Sequence, residues 1–501
     1  MQVHEARCPM SAMNDIQGTT PPPHPWRQRL GLLLGPTLFL LMLWADPPGE
    51  MALPAWQVAA LTLLMAVWWV TEAVPIPVTA LLPVALLPLL GVVDINEAAA
   101  PYANPLIFLF LGGFIIALGL QRWNLHRRIA LLILGAAGQR LDQLVGGFMA
   151  ATAGLSMWVS NTATAALMLP IGISVLVLLE DQGVTEAEGR NFSLALLLGI
   201  AFAANIGGMA TLIGTPPNAL LAGYLSDHHG VSIGFVQWMA VGLPVALMLL
   251  VACWWVLCRL AFPLSHRHIA GIDALIRQQH EALGSLSGPE RRVAMVFTAV
   301  ALAWLTRPLL DAFIPGLSLS DPGIAILGAL ALFLIPAGGG RGESLLDWDA
   351  TRQLPWGVLV LVGGGLSLGA AIGSSGLSEV VATALGGLSG WPVWIVVSMV
   401  ALTAMLLSHV TSNTATAATL LPLAAALAVT IGEHALLLTV PVALAASCAF
   451  MLPVATPPNA IVFGSGRISV PDMVHAGWRL SLLALVVVTG AVLVLVEWVL
   501  G

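Results

Sequence analysis

The chain has 501 residues, of which 58% are hydrophobic and 9% charged, with a mean hydropathy of +0.93 and a formal net charge of −7. Soluble domains carry about 25% charged residues, so this composition excludes a water-soluble fold and indicates a polytopic protein solvated by lipid. No basic patch is dense enough for nucleic acid, and the absence of lysine excludes Schiff-base chemistry.

Residues 1–29 are polar and Pro-rich, carry no cleavable signal peptide, and are expected to form a disordered cytoplasmic tail. A spanning helix needs about 20 apolar residues. Eleven spans are predicted, at roughly 30–45, 55–72, 77–92, 105–121, 191–226, 233–262, 290–312, 322–337, 353–373, 437–463 and 474–500. Two more apolar stretches, roughly 140–178 and 392–430, differ. Each is long enough for two short helices and has Ser-Asn-Thr at its middle, which predicts a re-entrant hairpin. The expected fold is therefore all-α, with about 11 transmembrane helices and two hairpins.

Arginines mark the cytoplasmic side. Arg27 and Arg29 precede the first span, Arg122, Arg127 and Arg128 follow the fourth, and Arg259, Arg267, Arg277, Arg291 and Arg292 fill the 259–292 loop. Arg341, Arg352, Arg467 and Arg479 mark two later loops, whereas loops 46–50 and 93–100 are acidic and lack arginine. With this count all of these groups fall inside, the N-terminus is cytoplasmic and the C-terminus external. Of the four cysteines, Cys253, Cys258 and Cys448 lie in apolar runs and read as small buried hydrophobes; Cys8 lies in the tail.

The chain repeats itself. Residues 160–170 read SNTATAALMLP and residues 412–422 read SNTATAATLLP, identical at nine of eleven positions. Gly214-Thr215-Pro216-Pro217-Asn218 and Ala455-Thr456-Pro457-Pro458-Asn459 follow the two motifs, and glycines around Gly113 and Gly363 precede them. Three landmarks in one order indicate a duplication. Five spans separate equivalent elements, and an odd number inverts the second copy. The first hairpin is thus expected to enter from the cytoplasm and the second from outside, the pattern of secondary transporters.

Ser-Asn-Thr offers hydroxyl and amide oxygens to a hard cation, and N–H and O–H donors to an anion. Consecutive prolines break a helix, freeing carbonyls for a cation and helix N-termini for an anion. No arginine neighbours any of the four motifs in the sequence. An anionic substrate would then be held by neutral donors, helix dipoles and bound cations, a physical reason for sodium coupling.

These residues, with Thr71-Glu72-Ala73-Val74-Pro75 and Leu82-Pro83, resemble the divalent anion/sodium symporter family, which includes the sodium-dicarboxylate and sodium-citrate carriers. The likeness runs from about residue 30 to the end. It implies a homodimer in the cell membrane, with scaffold helices at 30–139 and 290–390. The transport domain would comprise 140–262 and 391–501 and move as an elevator, and 263–289 would be a cytoplasmic linker. It implies one sodium near Ser156, Ser160, Asn161 and the Gly214 carbonyl, and a second near Ser408, Ser412, Asn413 and the Ala455 carbonyl. Substrate carboxylates would meet Asn161, Thr162, Asn413 and Thr414, with Thr215, Thr456 and Pro457 nearby. One departure matters: the family often has a Thr-Glu pair before the second motif, and here it is Ser408-His409. A charged imidazole would replace a cation and make an exchanger or a proton-sensitive carrier; a neutral one is structural. Glu72 and Asp142 read as structural.

The resulting expectation is sodium-coupled symport of C4-dicarboxylates such as succinate, malate or fumarate. Sodium-independent dicarboxylate exchange, or sulfate or citrate transport, is the alternative. A membrane enzyme has no metal cluster, nucleophile elbow or phosphate loop to support it. A channel predicts a continuous pore in place of two closed hairpins.

Overall fold

The computed structural model describes residues 25–180, 182, 185–313, 319–338, 342–384, 386–388 and 390–500. Helices dominate the described residues, and their only β-pairing is two isolated bridges. The first half contains α1 (Pro25–Trp44), α2 (Leu53–Thr71), α3 (Ile76–Thr79), α4 (Leu82–Leu89), α5 (Ile95–Ala99), α6 (Pro105–Arg122) and α7 (Leu125–Gly135). It continues with α8 (Leu141–Ser156), α9 (Asn161–Glu180), α10 (Glu186–Gly208), α11 (Pro216–His229) and α12 (Phe235–Trp255). After α13 (Ile272–Glu281) come α14 (Gly288–Phe313), α15 (Asp321–Leu334), α16 (Trp356–Ser374) and α17 (Leu377–Ala384). The chain then runs through α18 (Val393–Ser408), α19 (Asn413–Thr430), α20 (Ala435–Ala446), α21 (Pro457–Phe463) and α22 (Val470–Ala491).

Nine helical stretches among the described residues are long and apolar enough to cross a membrane, and four shorter ones are apolar. The expected spans differ in detail. The stretch 77–92 is two short helices, because at Pro83 a continuous helix would put the ring against the Thr79 carbonyl. Of the tail expected over 1–29, residues 1–24 lie outside the described residues, and Pro25–Arg29 already belong to α1. The linker expected over 263–289 contains α13, which buries Ile272 and Ile276. α7, which the apolar runs did not predict as a separate element, buries Leu125, Leu131 and Leu134, and its Arg128 pairs with Glu290 of α14.

The duplication is visible element by element. The glycine-rich α6 and α16 correspond, each followed by a short helix, α7 or α17. The pairs α8–α9 and α18–α19 are helix–turn–helix units at the stretches read as hairpins, but their second helices, of 20 and 18 residues, are longer than the short helices expected. The expected breaks interrupt α10/α11 at residues 209–215 and α20/α21 at residues 447–456. Each copy closes on a long helix ending in a π turn, at Val256–Ala261 after α12 and at Val492–Val496 after α22.

α10 is buried continuously from Phe192 to Gly208, the mark of a helix with protein on every side. It packs against α8 of its own copy and α21 of the other; α9 also packs on α21, and α11 packs on α19 and α20. The two copies therefore interlock around the turns and breaks. Asp142, at the foot of α8, is buried and accepts from both Arg140 and Arg259 at 2.8 Å, tying that foot to the π turn after α12. This bears out its structural role. Glu72 ends α2 with φ 49°, a left-handed cap, also structural. Cys253, Cys258 and Cys448 are buried free thiols, and Cys8 lies outside the described residues.

Candidate functional site

The first site forms where the α8–α9 turn meets the break after α10. Ser156, the last residue of α8, is fully buried; its Oγ lies 2.6 Å from the Asn161 amide and 2.7 Å from the Ala204 carbonyl oxygen. The same amide atom lies 3.1 Å from that carbonyl and 3.3 Å from the Gly214 carbonyl. A serine hydroxyl has one proton and satisfies one acceptor. With Asn161 Oδ1 facing inward, four oxygens share that single proton. With the amide reversed, its NH2 supplies the missing donors. The arrangement is thus suited either to a small hard cation with Oδ1 inward, or to an empty state with NH2 inward.

Glycine is required here by contact, since a methyl group on Gly208 would sit 2.6 Å from the Asn161 amide oxygen and 3.0 Å from the Gly214 carbonyl. One on Gly214 would sit 2.5 Å from the Gly208 carbonyl. Thr211 fastens the break to the turn: its hydroxyl donates to the Met157 carbonyl at 2.6 Å and accepts from Gly214 N–H at 3.1 Å.

The second site repeats this pattern. Ser408 Oγ lies 2.8 Å from Asn413 Oδ1 and 2.5 Å from the Ala446 carbonyl, the last carbonyl of α20. Helix-end carbonyls have no intrahelical partner and carry partial negative charge, which favours a cation. Asn161 and Asn413 also start α9 and α19, where free N–H groups favour an anion. Each site therefore offers oxygens on one side and helix N-termini on the other.

The Pro-Pro-Asn breaks are held open by their asparagines. Asn218 Nδ2 donates to the Gly208, Met209 and Thr211 carbonyls at 3.2, 3.4 and 2.7 Å. Asn459 Nδ2 donates to those of Ala449 and Leu452 at 3.1 and 3.0 Å. Asn205, buried in α10, crosses between the copies and donates to Thr456 Oγ1 at 2.9 Å.

The expected residues divide accordingly. Ser156, Asn161 and Gly214 come together, as do Ser408 and Asn413. Ser160 and Ser412 instead accept from the Ala163 and Ala415 N–H groups at 3.3 and 3.5 Å, capping α9 and α19. Thr215, Thr414, Thr456 and Ala455 are buried beside the turns and breaks, whereas Thr162 and Pro457 are exposed. Residue types alone did not reveal the Ala204 and Ala446 carbonyls, because any residue supplies them. Asn205, Asn218 and Asn459 carried a signal, as amides inside apolar runs.

One structural finding corrects the view that no arginine reaches the motifs. Arg27, at the start of α1, donates to the Val70 carbonyl at 2.6 Å and to the Val410 carbonyl, in the second turn, at 2.9 Å. His409 is buried; its Nδ1 sits 2.7 Å from the Met405 carbonyl, one turn back, and its Nε2 has no partner among the described residues. That is the pattern of a neutral imidazole held by its own helix.

Known proteins place the chain. The sodium:sulfate symporter transmembrane region matches residues 28–500. The sodium-dependent dicarboxylate transporter SdcS of Staphylococcus aureus strain USA300 is 42% identical over 479 residues, covering 95% of this chain and 92% of that protein. SdcS of strain MRSA252 is 41% identical over the same length. Among solved structures, the Alcanivorax borkumensis YdaH transporter matches with a TM-score of 0.55 at 14% identity, over 89% of this chain and 99% of that one. Neisseria gonorrhoeae MtrF matches with a TM-score of 0.58 at 12% identity, over 92% and 98%. These two likenesses concern the fold alone. A family match over nearly the whole length makes this chain a polytopic membrane transporter that belongs to the sodium:sulfate symporter family, the divalent anion/sodium symporters.

Proposed function

We propose that the protein is a secondary active transporter that couples sodium entry to uptake of C4-dicarboxylates such as succinate, malate or fumarate. The observation that carries this reading is the doubled oxygen cluster, Ser156–Asn161–Ala204–Gly214 and Ser408–Asn413–Ala446. The dicarboxylate relatives at 42% identity support the choice of substrate.

In this reading, sodium in the first cluster draws Asn161 Oδ1 inward. The NH2 of the same amide then turns outward and donates to a substrate carboxylate, as Asn413 does at the second cluster. Cation and anion thus bind to opposite ends of one side chain, and each favours the amide orientation that the other needs. Thr162, Thr414, Thr215, Thr456 and Pro457 border the anion. The two copies are inverted, the hairpins enter from opposite faces, and the N-terminus is cytoplasmic, a topology the arginine pattern supports. The protein works as a homodimer in the cell membrane, and the unit built from 140–262 and 391–501 carries the site across as an elevator.

Uptake of labelled succinate into proteoliposomes tests this reading. Replacing sodium by choline outside should abolish uptake, and His409→Gln should be mild. Transport that persists in choline, needs internal dicarboxylate and fails in His409→Gln would establish the exchanger.

A further inference from the structure

We propose that Asn205 orients the Thr456 hydroxyl as an obligate hydrogen-bond donor to a substrate carboxylate, and so acts as a positioning residue for the anion. This inference rests on the substrate site described above and adds to it a residue from the opposite copy.

The direction of each hydrogen bond fixes where the Thr456 proton can go. Asn459 Nδ2 is committed to the Ala449 and Leu452 carbonyls, at 3.1 and 3.0 Å. Its Oδ1 therefore faces the other way, toward Asn205. Only the NH2 end of Asn205 can meet that oxygen, which it does at 3.5 Å, and the same NH2 lies 2.9 Å from Thr456 Oγ1. Thr456 Oγ1 also accepts from the Asn459 N–H at 3.4 Å. A threonine hydroxyl has two acceptor lone pairs and one proton. Both lone pairs are used, so the proton is left to donate elsewhere. A hydroxyl fixed in this sense favours a carboxylate oxygen over a neutral or cationic group.

Asn205 and Asn459 are almost wholly buried, so water does not compete for these bonds. The Asn205 Oδ1 has no partner among the described residues, although buried acceptors are normally satisfied. The local structure thus leaves one oxygen unpaired while placing the NH2.

The other copy lacks the device. Ser447 follows Ala446 as Asn205 follows Ala204, and its hydroxyl has no partner among the described residues. Thr215 precedes α11 without a side-chain cap, whereas Thr456 caps α21. The two halves of the site therefore differ, and the carboxylate beside Thr456 meets the pre-oriented donor.

A double-mutant cycle on the purified full-length protein tests this, with the succinate Kd read by calorimetry at saturating sodium. Thr456→Val and Asn205→Leu should each weaken succinate by about tenfold, the effect of losing one hydrogen bond to a charged group. The double variant should be no more than about twofold weaker than the worse single, because both remove the same donor. Additive losses would mean that Asn205 only supports packing, and would overturn the proposal. An unchanged Kd in Asn205→Leu beside a weakened Thr456→Val would overturn it too, while leaving the site in place. An unchanged Kd in Thr456→Val would instead remove Thr456 from the site. If Asn205→Leu fails to fold, Asn205→Ser enters the same cycle with the same criteria.

Discussion

Asn161→Ala removes the side chain that joins the first cluster. The Asn161 amide lies 2.6 Å from Ser156 Oγ, 3.1 Å from the Ala204 carbonyl and 3.3 Å from the Gly214 carbonyl. Ser156 keeps its bond to the Ala204 carbonyl at 2.7 Å, so the hydroxyl is not orphaned and the fold should hold. What is lost, in the proposed transporter, is one cation ligand and one donor to the anion. A hydrogen bond to a charged group contributes about 1.5–3 kcal/mol, so succinate affinity should fall about tenfold to a hundredfold. Asn161→Asp separates the two roles by sign. A carboxylate there tightens the cation, while at ~5 Å and an effective dielectric of about 20 it repels a substrate carboxylate by about 3 kcal/mol. Calorimetry on purified protein reads both ligands. Unchanged succinate affinity in Asn161→Ala, or tighter succinate in Asn161→Asp, would refute the assignment.

Gly214→Ala forces a methyl group to within 2.5 Å of the Gly208 carbonyl, so the break must shift; sodium affinity should fall at least about tenfold, with no compensation at higher succinate. Sodium binding equal to wild type would show that the Gly214 carbonyl is not a ligand. Arg27→Gln releases the Val410 carbonyl, so amide hydrogen exchange around Val410–Ser412 should quicken about two- to fivefold, while exchange at Met157–Ser160 stays unchanged. Equal exchange at both turns would show that Arg27 does not hold the second turn.

The doubled motifs made most of the framework legible. Ser-Asn-Thr inside an apolar run predicts a turn that polar groups must line, and Pro-Pro predicts a break, whatever the surroundings. Both appear where expected, at 157–160 and 409–412, and at 209–215 and 447–456. α7 and α13 escaped notice because short amphipathic helices look like loops when only apolar runs are counted. The Ala204 and Ala446 carbonyls escaped notice because a carbonyl carries no residue signature. The Arg27–Val410 contact joins residues 383 apart in sequence, and no local pattern could announce it. Asn205 was readable as a polar residue in a helix with protein on every side, but its partner in the other copy required the packing of α10 on α21.

In the proposed transporter the paired oxygen clusters make cation and dicarboxylate binding one linked event. The most direct measurement is reciprocal linkage in purified protein: the succinate Kd as a function of sodium, and the sodium dependence as a function of succinate. Each ligand should tighten the other by the same factor, of about five- to 150-fold, and choline should not substitute. Succinate binding of equal affinity in sodium and in choline would contradict it.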